Sequence, residues 1–160
     1  MSACSSTFGS AVSKSVHAPL KETWPERRNC CYDPPVKTQP EEFQKVIPIL
    51  RIFDVAKARE FYIGFLGMAV DWEHRFSKDA PLYMQVSRGG LVLHLSEHYG
   101  DACPGSTVFV RMTGLKGYHK EITAKDYPYL RPGIERAPWK ARCMEVIDPF
   151  GNRIRFNEDD

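Results

Sequence analysis

Nowhere does the chain carry the run of roughly 18 apolar residues that a membrane-spanning helix needs, which argues against an integral membrane protein. An excess of either charge is also missing: 22 Lys and Arg stand against 20 Asp and Glu, a formal net charge of +2. Binding to nucleic acid draws on clustered surplus cations, so that class is disfavoured as well. There are five cysteines, Cys4, Cys30, Cys31, Cys103 and Cys143, but no C-x-x-C or C-x-x-H spacing. An odd number with one adjacent pair speaks against a disulfide framework or a zinc site, and fits a reducing, cytoplasmic compartment. Absent too are a secretory apolar stretch, a G-x-S-x-G elbow and a P-loop. No nucleophile constellation stands out, and Cys143 beside Arg142 reads as a packing residue.

What is present fits one soluble domain with a tail. The chain has 160 residues, 42% of them hydrophobic, 26% charged and 12% aromatic. Composition changes near residue 45. Residues 1–44 hold five prolines and a Ser-rich start without acidic residues, and read as a flexible N-terminal extension. Residues 45–160 read as the folded domain.

Within that domain, residues 46–52 read as a strand, with Asp54 as the cap of a helix from Val55 to Leu66. Gly67 stops the helix. Strands follow over 68–74, 82–87 and 91–96, the last two joined by a Gly89-Gly90 hairpin. The second half repeats the order: a strand over 107–112, a helix over 115–124, a looser extended stretch over 127–134, and strands over 142–147 and 152–157. Asp148-Pro149-Phe150-Gly151 supplies the last turn, and Asp148 shapes it. Gly90 and Gly151, His94 and Arg155, and Ile47 and Val108 each stand 61 residues apart. A shared offset implies two copies of one β-α-β-β-β unit, about 46–96 and 107–158. The fold class is therefore α+β, with two small sheets each backed by a helix on one face and curving into a half-open cup.

Alternation assigns the faces. Leu91, Leu93 and Leu95 make one side of their strand, leaving Val92, His94 and Ser96 on the other. Ile154 and Phe156 leave Arg153, Arg155 and Asn157 opposite. Tyr83 and Gln85 join His94, because Met84 and Val86 take the helix side. Trp72, Phe76 and Trp139 stand at strand ends or in loops beside the cup. Glu97-His98 and Tyr118-His119 read as solvated surface or loop residues.

The segments ILRIFDVAKAREFYIGFLG, LVLHLS and DPFGNRIRF resemble the vicinal oxygen chelate superfamily, which contains glyoxalase I and the bleomycin resistance proteins. The resemblance covers about residues 46–158 and is nearer the bleomycin-resistance branch. It implies a homodimer that sequesters a small molecule, such as a bleomycin-like drug, in clefts between chains. Aromatic stacking would then come from Trp72, Phe76, Tyr83 and Trp139, and polar anchoring from Gln85, His94, Glu145 and Arg155. Metal-dependent members place His or Glu at four cup positions, which the motifs align with Ile47, His94, Thr107 or Val108, and Arg155. Of these only His94 could be a ligand, so neither a metal nor another cofactor is expected and catalysis is in doubt.

Each of these residues has a plainer role open to it. His94 is a cup-lining hydrogen-bonding group, a satisfied structural histidine, or a ligand or base. Arg155 is a ligand anchor or the partner of Glu145 or another carboxylate. Trp72 and Trp139 are stacking platforms or fill a core or dimer interface. A metal-dependent glyoxalase or lyase, and a protein-interaction module whose cup is filled by another protein or by the tail, are the rival functions.

Overall fold

The structure, a computed structural model, describes residues 42–160. The expected extension over 1–44 lies outside the described residues up to residue 41, as do Cys4, Cys30 and Cys31.

The first module runs β1 (Ile49–Arg51), α1 (Val55–Ala58), β2 (Ala69–His74), β3 (Tyr83–Arg88) and β4 (Leu91–Ser96). The second runs β5 (Thr107–Arg111), α2 (Leu115–Ala124), β6 (Ile134–Ala137), β7 (Ala141–Ile147) and β8 (Arg153–Asp159). Each makes one four-stranded sheet, in the orders β1-β4-β3-β2 and β5-β8-β7-β6. The first pair of each sheet is parallel and the others antiparallel, so the repeated β-α-β-β-β unit is confirmed.

Three details differ from expectation. The first helix keeps α-geometry only over α1 and widens into a π-helical segment, Arg59–Phe65. Its Leu66 N–H reaches back five residues to the Phe61 carbonyl at 2.8 Å. The sixth strand starts at Ile134, where the looser stretch was expected to end. Pro128, Pro132 and Gly133 keep that earlier stretch out of the ladder, since proline has no N–H to donate. The repeat offset is also not constant. Ile49 pairs with His94, whereas Phe109 pairs with Arg155, so β1 and β5 are offset by 60 and β4 and β8 by 61. One residue of slip exchanges the faces of a strand. Val108 therefore packs toward the core and Phe109 stands on the outer face.

Both sheets turn one face to a common core. Leu50, Ile52, Met84, Val86, Leu93 and Leu95 fill it from the first sheet. Met144, Val146, Ile154 and Phe156 fill it from the second, with Phe61, Tyr62, Phe65, Leu115 and Ile122 of the helices between them. Asp54 caps α1 by accepting from the Lys57 N–H at 3.0 Å. The far end of the π-helical segment is tied to the second module: Lys125 Nζ donates to the Gly64 and Phe65 carbonyls, and Tyr118 Oη donates to that of Leu66.

Candidate functional site

The eight expected site residues fall into two groups, six on the sheets' outer faces and two, Phe76 and Trp139, in the loop after β2 and the turn between β6 and β7. Trp72, Phe76, Tyr83, Gln85 and His94 lie together at the first sheet. Trp139, Glu145 and Arg155 lie together at the second. Among the described residues no hydrogen bond, ion pair or ring contact joins the two groups.

On the first sheet, β4 offers His94 between the β3 residues Tyr83 and Gln85. Tyr83 Oη lies 2.9 Å from His94 Nδ1, and Gln85 Oε1 lies 2.9 Å from His94 Nε2. Both ring nitrogens are thus engaged, and burial holds the imidazole below its ordinary pKa. Burial first, and then Asp101, pushes the Tyr83 hydroxyl up. A β-bulge between Val70 and Trp72 sets Trp72 opposite Gln85. The Trp72 ring stacks on Tyr83, with centroids 5.9 Å apart and planes 9° apart, and stays 43% exposed. Phe76, 80% exposed, meets the edges of His74 and His98. The result is a wet aromatic platform around one neutral, doubly bonded histidine.

On the second sheet, Glu145 accepts from Arg155 Nε at 2.5 Å and from Arg153 at 3.3 Å. The Arg155–Glu145 pairing that sequence left open is present, and it neutralises part of the cationic floor. Trp139 donates through Nε1 to Asn157 Oδ1 at 3.2 Å, and Cys143 Sγ lies 3.1 Å from the same oxygen. Trp139 is 63% exposed and Phe109 55% exposed. Phe109, Trp139, Cys143, Glu145 and Arg155 line a cavity of about 470 Å³. A larger cavity, about 850 Å³, is lined instead by β5, the start of β4 and Tyr118, and none of the eight expected residues lines it.

Glu97 and His98 lie in the loop after β4, as read, but they and the α2 pair Tyr118-His119 are half-buried rather than solvated. Glu97 is an acceptor for the Leu82 N–H at 2.7 Å. His98 is half-buried, and its Nε2 has no partner among the described residues. Tyr118 packs edge-on against Phe156 with its pKa pushed up to about 12 by burial, and His119 Nε2 lies 2.8 Å from the Pro132 carbonyl. All but Glu97 make their main contacts outside their own strand or hairpin, beyond the reach of local patterning. Asp71, a bulge residue with no motif around it, was missed altogether. Its carboxylate accepts from Gln85 Nε2 at 2.8 Å and from Ser87 Oγ at 2.7 Å, and these bonds hold it below the usual carboxylate range.

The glyoxalase superfamily matches residues 36–160 of this sequence. The chain belongs to that superfamily. No curated protein is a significant match. Among solved structures, the bleomycin resistance determinant encoded on transposon Tn5 is 21% identical, with a TM-score of 0.58 over 74% of this chain and 99% of that one. TnmS3, an antibiotic-binding protein from Streptomyces sp. CB03234, is 19% identical, with a TM-score of 0.58 over 75% of this chain and 99% of that one. A bleomycin-binding protein complexed with bleomycin is 19% identical, with a TM-score of 0.56 over 74% of this chain and all of that one. At such identities the likeness shows the fold.

The residues do not fit the metal of metal-dependent superfamily members. The register places Ile49, rather than Ile47, beside His94, and Phe109, rather than Thr107 or Val108, beside Arg155. His94 has both nitrogens occupied, and Glu145 is held by two guanidinium groups. At the aligned positions a divalent ion would find one donor, His94, already engaged through both nitrogens, short of the three it normally requires.

Proposed function

We propose that this superfamily member is a metal-free small-molecule binding protein of the bleomycin-resistance type. It sequesters a flat, drug-like or metabolite ligand rather than transforming it. The observation that carries the reading is the Trp72–Tyr83 stack. Two large parallel rings, an exposed Trp72 on a half-buried Tyr83, stand on an outer sheet face where packing alone would favour burial. The polar groups beneath the stack are satisfied, so the face needs no ion to be stable. The antibiotic-binding and bleomycin-binding structural neighbours support a binding role on this fold.

A single sheet gives only a floor. The reading therefore includes a homodimer in which a second chain covers the open faces, with Phe109 and Trp139 of the second sheet as further aromatic walls. The free thiols of Cys103 and Cys143 accord with a reducing, cytoplasmic setting, and no described helix is long and apolar enough to cross a membrane.

Calorimetric titration with metal-free bleomycin, with tryptophan emission recorded in parallel, tests the reading. Saturable binding near one ligand per chain is expected, with an emission change that disappears in Trp72→Phe. No heat and no emission change rejects bleomycin as the ligand. A clean monomer by sedimentation at micromolar concentration rejects the between-chain cleft.

A further inference from the structure

We infer that Asp71, Gln85, His94 and Tyr83 form a one-way hydrogen-bond relay that turns the Tyr83 oxygen into an acceptor at the open aromatic face. The ligand class it selects is an aromatic molecule bearing an N–H or O–H donor. This ligand class rests on the binding function proposed above for the same face.

The direction of the relay follows from one group that cannot be reversed. An ionised carboxylate only accepts hydrogen bonds. Asp71 is ionised at neutral pH, and Gln85 and Ser87 both reach it. The end of the Gln85 amide facing Asp71 at 2.8 Å must therefore be the nitrogen, which leaves Oε1 facing His94. A carbonyl oxygen also only accepts. His94 must then carry its proton on Nε2, the nitrogen 2.9 Å from that oxygen. Nδ1 is left with a lone pair, and Tyr83 Oη, 2.9 Å away, must donate to it. The opposite tautomer would set the Gln85 oxygen against an unprotonated Nε2, two acceptors in contact. It would also leave the Tyr83 hydroxyl proton with no partner among the described residues.

With its proton committed to His94, Tyr83 offers only its oxygen lone pairs to a visitor. Those lone pairs sit at the rim of the ring that Trp72 stacks on. A ligand ring lying against the platform gains a hydrogen bond there only by donating. An aromatic ether of the same shape leaves the oxygen unpaired. Asp71 and Ser87 act through Gln85 and are positioning residues. The bulge at Asp71 lets consecutive residues serve both the relay and the platform.

Two measurements test this separately from ligand identity. Nitrogen-15 NMR of the histidines at neutral pH should show His94 protonated on Nε2 alone. In Asp71→Ala the Gln85 amide is free to turn, and the His94 signal should move toward the other tautomer, while Asp71→Glu should restore it. An Nδ1–H or doubly protonated His94 in the wild type overturns the relay whether or not anything binds. Tryptophan-quenching titrations with 2-naphthol and 2-methoxynaphthalene address the ligand class. Naphthol should bind about five- to tenfold tighter, the worth of one net hydrogen bond, and Tyr83→Phe should abolish the difference. Equal affinities overturn the donor preference. If neither probe binds, the binding reading of this face and the ligand class fall together, and the NMR result still decides the relay.

Discussion

At the residue scale, Glu145 and Trp72 are the positions where a small change should be most informative. Glu145 holds Arg153 and Arg155 together on the second sheet. Two guanidinium groups side by side would favour an anion, but the shared carboxylate cancels part of their charge. Glu145→Gln removes the negative charge and leaves both guanidinium groups. A carboxylated aromatic such as 2-naphthoate should then bind severalfold tighter than to the wild type, by titration at low salt where exposed charges are least screened. Trp72 separates binding from folding. Its ring is half in water, so Trp72→Ala should shift the urea midpoint by less than about 1 kcal/mol equivalent and weaken aromatic ligands about tenfold. Tyr62, wholly buried, should behave oppositely, with Tyr62→Ala costing about 3–5 kcal/mol.

At the element scale, what sequence reveals depends on whether an element's reasons are local. Asp54 caps α1 through its own third neighbour, and it is visible in the sequence for that reason. Asp54→Ala should lower stability by about 1 kcal/mol in urea unfolding, with the m-value unchanged. The hairpin β3–β4 is equally legible, because two strands of strict alternation meet at Gly89-Gly90. The π-helical segment is not. Phe61, Tyr62 and Phe65 satisfy an α-helical spacing as well as the wider turn, and only the five-residue reach of the Leu66 N–H to the Phe61 carbonyl shows which one holds. The faces of β3, β4 and β8 follow from alternation, and so four of the eight candidate residues, Tyr83, Gln85, His94 and Arg155, stand on the faces expected of them. The Asp71 relay and the half-buried His98 do not follow. A bulge has no signature in the sequence, and the partners that bury His98, Phe76 and Tyr83, lie 22 and 15 residues away.

At the scale of the whole molecule, the two modules are joined by a buried polar staple as well as by the common core. Tyr62 Oη donates to Asp148 Oδ2 at 2.7 Å, and Asn152 donates to the same oxygen and to the Arg51 carbonyl. The Asp148 Oδ1 atom accepts from the N–H groups of Phe150 and Asn152, so the turn-forming aspartate also links first module to second. Burial nevertheless raises the Asp148 carboxyl above its ordinary value of 3.8, because the four bonds only partly offset the desolvation of its charge. The folded state therefore binds this proton more tightly than the unfolded chain does. Its stabilising contribution is complete below the unfolded pKa and is lost as pH rises through the folded pKa. Asp71 and Glu121, whose pKa values are lowered in the fold, work in the opposite direction over more acidic pH, so the total curve conceals the effect. Subtraction isolates it. The unfolding free energy of the wild type minus that of Asp148→Asn should fall as pH is raised from about 3.8 upward, and level off once Asp148 is ionised in the folded state. Parallel curves across that window would mean that Asp148 titrates alike in both states and that the staple carries no buried charge.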